Sequence, residues 1–155
     1  MKYSGIIYND FSAAPGVSLT FFTQGCPHRC SGCHNPETWD FNGGQDFSED
    51  IVQNILEGLI ANDIKRNFCI MGGEPLCPEN VKLTLELIQK VKQKYNWCKI
   101  YVWTGYTYEE LNLPKQKEIL DLIDVLIDGP FIEELKDLTL PMRGSYNQRI
   151  IHLTF

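Results

Sequence analysis

Short strand-like runs alternate with amphipathic helical stretches along this chain, and that alternation restricts it to a small set of architectures. SLTFFT at Ser18–Thr23 is aromatic and threonine-rich, NFCIM at 67–71 is short and apolar, KIYVWT at 99–104 mixes β-branched and aromatic residues, and DVLID at 124–128 is a fourth such run. The closing QRIIHLTF at 148–155 is strand-like as well. Between the first two, Ile51, Val52, Ile55, Leu56, Leu59 and Ile60 recur at helical spacing, with Asp46 or Ser48 as a cap and Glu49 and Asp50 in the first turn. Pro78, Glu79 and Asn80 open a second helix with the stripe Val81, Leu85, Ile88 and Val91, and 108–122 is helical in two pieces around Pro114. Strands separated by helices predict βαβ units, a mainly parallel sheet and right-handed crossovers. With about five to six strands in 155 residues, one α/β domain over 1–155 follows, an incomplete barrel rather than a closed eight-stranded one of about 250 residues.

Ligands of parallel sheets gather outside the carboxyl ends of the strands. The unusual residues of this sequence all fall there. A cysteine loop follows the first assigned strand, Gly72-Gly73-Glu74-Pro75 the second, Thr104-Gly105-Tyr106 the third, and Asp128-Gly129-Pro130-Phe131 the fourth. Composition narrows the partners: a net charge of −6 argues against nucleic acid, and apolar runs of about six residues are far short of the roughly 18 that span a bilayer. The expected setting is the cytoplasm, since the N-terminus has no apolar signal segment.

Six cysteines in a reducing compartment are metal ligands, redox groups or buried hydrophobes before they are disulfides. Cys26, Cys30 and Cys33 stand in a Gly- and Pro-containing loop able to wrap an ion or cluster. Structural zinc wants four ligands, and no second Cys-x-x-Cys exists; His28 or His34 as the fourth would crowd the same short loop. A [4Fe–4S] cluster held by three thiolates keeps one iron open for a non-protein ligand. Cys69 and Cys98 belong to strand regions and read as core, Cys77 as packing before redox, and His152 as structural.

The spacing Cys26-x-x-x-Cys30-x-x-Cys33 resembles that of the radical S-adenosylmethionine (SAM) superfamily, in which SAM's amino and carboxylate groups chelate the open iron. GGEP is similar to that superfamily's glycine-rich motif, which implies that Gly72, Gly73 and Glu74 meet the methionine end of SAM; Thr104 resembles a strand-end SAM contact. Gly32 replaces an aromatic found there in many members, and with Cys33 and His34 it is placed beside the cofactor. Trp39, Tyr106 and Phe131 are alternatives for covering the adenine.

GCPHRCSGCHNPETW, GGEPL, VWTGYTYEEL, DVLIDGPF and RGSYNQRII together resemble the activating proteins of anaerobic, class III ribonucleoside-triphosphate reductases, Tyr146 standing where a small residue is typical. The resemblance implies that a reduced cluster cleaves SAM to a 5′-deoxyadenosyl radical that takes hydrogen from a glycine of the reductase. It also implies an incomplete βα barrel of the radical SAM type, the reductase large subunit as partner, and an electron donor such as flavodoxin. Asp128, Gly129, Arg143, Asn147 and Gln148 are the expected contacts to the partner's glycine loop or to SAM. Alternatives are an activase of another glycyl-radical enzyme, a small radical SAM enzyme acting on a metabolite, and an iron–sulfur electron carrier.

Overall fold

The computed structural model describes residues 1–33 and 36–154, so His34 lies outside the described residues. The strands are β1 (Lys2–Asp10), β2 (Ser18–Thr23), β3 (Gln45–Asp46), β4 (Asn67–Gly72), β5 (Ile100–Trp103), β6 (Val125–Asp128) and β7 (Arg149–His152); the helices are α1 (Glu49–Gly58), α2 (Val81–Lys94) and α3 (Pro114–Leu122). They form one mixed sheet in the order β3-β1-β2-β4-β5-β6-β7. The central strands β2, β4, β5 and β6 are mutually parallel, while β1, β3 and β7 join antiparallel at the flanks.

Seven strands replace the expected five to six, and the parallel part is confined to the middle four. The two strands without a counterpart among the expected runs are β1 and β3, and β1 is the long one. Its Ile7, Tyr8 and Asn9 are exposed and its pairing with β2 shifts register twice, so no clean alternation marks it. β3 is only two residues long. α1 starts as expected, with Ser48 at the N-cap, though without a side-chain bond, and Glu49 and Asp50 in the first turn, while Asp46 belongs to β3; α2 begins later than expected, at Val81, after the Pro78–Asn80 turn. Pro114 does open α3, and a 3-10 turn at Tyr108–Glu110 precedes it.

Each βα crossover moves one strand over in the same direction, so crossovers of one hand put all three helices on one face. That face is the main core: Leu19 and Phe21 of β2, Phe68 and Ile70 of β4, Ile100 and Val102 of β5 and Leu126 of β6 meet Val52 and Ile55 of α1, Ile88 and Val91 of α2 and Ile119 of α3. The alternate residues Cys69, Tyr101, Val125 and Ile127 point the other way and pack with Ala13, Ala14, Met71, Trp103, Met142 and Ile150, with no helix over them among the described residues. No described helix is long and apolar enough to cross a membrane.

Phe21 is fully buried, stacked on Tyr3 at 5.6 Å and edge-on to Phe47 at 5.8 Å. Phe21→Ala is expected to cost about 3–5 kcal/mol, read as a lower urea midpoint with an unchanged slope.

Candidate functional site

The loop leaving β2 turns back on itself before it delivers its cysteines. Gly25 N–H donates to the Thr38 carbonyl at 2.6 Å and Cys26 N–H to the Trp39 carbonyl at 3.1 Å, while the Gln24 amide donates to the carbonyls of Glu37 and Asp40. Gly25 has φ +101°, and a Cβ there would lie 2.0 Å from the Phe41 ring, so no other residue fits this turn. Cys26, Cys30 and Cys33 all line one cavity of about 170 Å³ together with His28, Trp39, Gly72, Gly73, Glu74, Thr104, Gly105, Gly129, Phe131 and Gln148.

The GGEP loop comes within hydrogen-bonding distance of the cysteine loop. A Cβ on Gly73 would meet the Gly25 carbonyl at 2.4 Å, and Glu74 N–H donates to that same oxygen at 2.8 Å. Asn80 completes the joint: its amide donates to the carbonyls of Gln24, Gly25 and Glu74.

Glu74 is fully buried, and its carboxylate is saturated. One oxygen takes His28 Nε2 and the Gly105 N–H, both at 2.7 Å; the other takes Thr104 Oγ1 at 2.7 Å and the Leu76 N–H at 2.9 Å. The cysteine loop, the GGEP loop and the end of β5 thus share one anion. The His28 ring in turn sits edge-on to Tyr106 at 4.6 Å, and the Tyr106 hydroxyl is pushed up to about 12 by burial and then by Glu74.

The remaining expected residues divide. Gly129 and Gln148 line the cavity, and Gln148 closes its loop by accepting from the N–H groups of Gly144 and Ser145 and donating to the Gly129 carbonyl. Arg143 lines a second cavity of about 460 Å³, on the sheet face away from the helices. The two cavities share Cys33, Met71, Trp103, Phe131 and Gln148. Asp128 and Asn147 line neither: Asp128 is bound by the Arg149 guanidinium and the Tyr108 N–H, and Asn147 bonds to Pro130 and Ser145. Gly32 also lies outside both cavities, in an exposed turn with φ +74° facing the Glu133 side chain, which accounts for a glycine where an aromatic was the family habit. Tyr146 is 63% exposed, so its bulk meets no wall.

Sequence reasoning missed the partners of Glu74, of which Gly105, directly after a strand-ending threonine, was the visible hint. It also missed Asp10, which lines the larger cavity; burial pushes its carboxyl up, but hydrogen bonds from Thr20 and Ser12 outweigh that and hold it below the usual range.

Among the described residues, no three His, Cys, Asp or Glu side chains converge on a single ion. His28 is committed to Glu74 through Nε2. Three thiol-bearing residues around one cavity suit a cluster, whose protein ligands bind separate irons and need not meet at a point. Burial pushes the Cys26 thiol up to about 11 and the Cys69, Cys77 and Cys98 thiols to about 12; Cys77 Sγ donates to the Glu74 carbonyl at 3.3 Å.

Comparison with known proteins defines the class first: residues 13–151 match the family model of the 4Fe-4S single cluster domain. The chain is 42% identical over 154 residues to the anaerobic ribonucleoside-triphosphate reductase-activating protein of Escherichia coli, covering 99% of both chains. It is 41% identical over 154 residues to the protein of that name from Salmonella typhimurium, again covering 99% of both, and 37% identical over 150 residues to that of phage T4, covering 97% of this chain and 93% of the phage protein. The chain belongs to the family of anaerobic ribonucleoside-triphosphate reductase-activating proteins.

Glu74→Gln puts an amide among four donors and is expected to lower stability by about 1–3 kcal/mol, measured by urea unfolding of the cluster-free protein. Iodoacetamide at pH 8 should label half-exposed Cys30 well before Cys69, Cys77 or Cys98, which are buried and whose raised pKa values leave little thiolate; peptide mass spectrometry over time reads the order.

Proposed function

We propose that this chain is the activase of an anaerobic ribonucleoside-triphosphate reductase, working as one radical SAM domain over residues 1–155 in the cytoplasm. Cys26, Cys30 and Cys33 would hold a [4Fe–4S] cluster with one iron left open, and SAM would extend from the smaller cavity toward the larger one that adjoins it. When bound, the reduced cluster and SAM would supply one-electron radical chemistry, directed at a glycine Cα–H of the reductase. The observation that carries the reading is the meeting of all three cysteines with Gly72, Gly73, Glu74 and Thr104 around one cavity at the carboxyl ends of parallel strands.

The chain's own residues then have defined tasks. Gly72 and Gly73 offer backbone with no side chain in the way, next to the methionine end of SAM. Glu74 and Thr104, locked to each other, fix the loops that surround SAM. Met71, Trp103 and Phe131 form an apolar wall that keeps water and stray hydrogen donors from a radical. The larger cavity, with Arg143 and Gln148 in its lining, receives the glycine-bearing loop of the reductase large subunit. Asp128 and Asn147 act at one remove, by holding the β6 loop in place.

Winding of β2, β4, β5 and β6 in one direction, with helices on one face and a sheet that ends at β3 and β7, supports an incomplete barrel of the radical SAM type. A one-electron donor such as flavodoxin completes the cycle.

The test is anaerobic: load the protein with iron and sulfide, reduce with dithionite, add SAM, and measure 5′-deoxyadenosine with and without the reductase while following EPR. Deoxyadenosine plus a reductase-dependent glycyl doublet is expected. SAM cleavage without a protein radical would retain the chemistry and reject this partner. Cys30→Ala should lose the cluster absorbance and all cleavage while its urea midpoint stays near wild type; a variant that keeps both rejects the ligand set.

A further inference from the structure

Trp39 lines the smaller cavity with the three cysteines, yet its indole Nε1 is shielded from solvent and has no hydrogen-bond partner among the described residues. Buried donors in folded proteins are nearly always paired, and an indole N–H can only donate. Among the described residues, the other two orphaned side-chain atoms are Ser18 Oγ, at the start of β2, and Arg143 Nε, in the larger cavity. Of these, Trp39 is the one that shares a cavity with all three cysteines, whereas Arg143 shares one with Cys33 alone.

We infer that the Trp39 N–H donates to a sulfur of the bound cluster, either a cysteine thiolate or a bridging sulfide, and thereby raises the cluster's reduction potential. This rests on the proposed cluster ligation by Cys26, Cys30 and Cys33. Two observations direct the donor to the cluster rather than to SAM. The main chain binds Trp39 to the first cysteine, since Cys26 N–H donates to the Trp39 carbonyl and Gly25 N–H to the Thr38 carbonyl, so the indole and that thiol are placed by one turn. The polar groups of the Gly72–Thr104 side already pair with each other through Glu74, whereas Trp39 pairs with nothing. A cluster held by three thiolates presents sulfur acceptors and no donors, which complements a donor-only group.

The consequence follows from charge. Reduction adds an electron to an anionic cluster, and a hydrogen bond to its sulfur stabilises the reduced form more than the oxidised one. Arg29, between the first two cysteines at φ +50°, carries its guanidinium 5.8 Å from the Trp39 ring, so the ring also holds a cation near the same loop. Trp39→Phe keeps an aromatic face under Arg29, though a smaller one, and removes the N–H, and a ¹⁵N measurement isolates the N–H itself. Trp39 is therefore a positioning and tuning residue, with no part in bond making.

The experiment is an anaerobic redox titration of the reconstituted holoprotein, followed by EPR of the reduced cluster, in wild type, Trp39→Phe and the exposed-tryptophan control Trp97→Phe. Trp39→Phe is expected to load as much iron and sulfide as wild type. At a fixed potential its ratio of reduced to oxidised cluster should fall by about tenfold, a shift of about 59 mV for a one-electron couple, while Trp97→Phe leaves the ratio unchanged. An unchanged ratio in Trp39→Phe overturns the inference. A direct measurement needs no variant: wild type carrying ¹⁵N-indole tryptophan, reduced without SAM, should show a ¹⁵N hyperfine coupling in pulsed EPR, and its absence overturns the inference even if Trp39→Phe fails to load. Should wild type itself bind no cluster, the cluster reading fails instead, and this distinguishes the two.

Discussion

The Glu74 carboxylate is the interaction on which the site depends. A fully buried carboxylate is costly unless its acceptor positions are filled, and here four donors from three separate loops fill them. Hydrogen bonds to a charged group contribute about 1.5–3 kcal/mol each, enough for one side chain to hold three loops in register. The cysteine loop has little apolar anchorage of its own: Pro27, Arg29, Ser31 and Gly32 are exposed. Through His28 it inherits the rigidity of β4 and β5.

The glycines make this convergence sterically possible. A Cβ on Gly72 would sit 2.5 Å from Thr23 backbone atoms, and one on Gly73 would press on Gly25. The ends of β2 and β4 therefore approach more closely than any side chain allows, and Asn80 uses the resulting cluster of carbonyls as its acceptors. The motif that reads as a cofactor contact is thus first a packing device. Both uses need the same residue type, since a bare backbone that packs tightly on one side is also one that a ligand can approach on the other.

The order of strands and helices and the gathering of odd residues at strand ends were legible because both are local patterns: periodicity, glycine and cysteine spacing. What escaped is non-local or weakly patterned. β1 is antiparallel, half-exposed and register-shifted, so neither apolar continuity nor alternation betrays it. The Glu74 pairings span 46 and 31 residues to His28 and Gly105, a relation no spacing rule encodes. Asp128 and Asn147 were expected to touch the partner or SAM from their place on the loop face and in family-like segments, and their side chains pair with Arg149, Tyr108, Pro130 and Ser145, a network that no spacing reveals. Position on a sheet edge fixes which loop a residue joins, and competing partners nearby decide where its polar atoms go.

The loop after β6 explains why two cavities meet rather than one closing over. Phe131 and Gln148 stand in the wall shared by both, and the Trp103 indole donates to the Met142 carbonyl at 2.7 Å, drawing the chain near 142 down onto the sheet face. Beyond that bond this cover is thin: Leu138 is 77% exposed, and Leu140 and Arg143 face the cavity from a segment without regular structure. A small substrate would be served by a sealed chamber. A cavity of about 460 Å³, largely apolar but carrying Asp10, Arg143 and Gln148, bordered by an exposed leucine and opening beside Cys33, has room for a segment of polypeptide whose remainder stays outside.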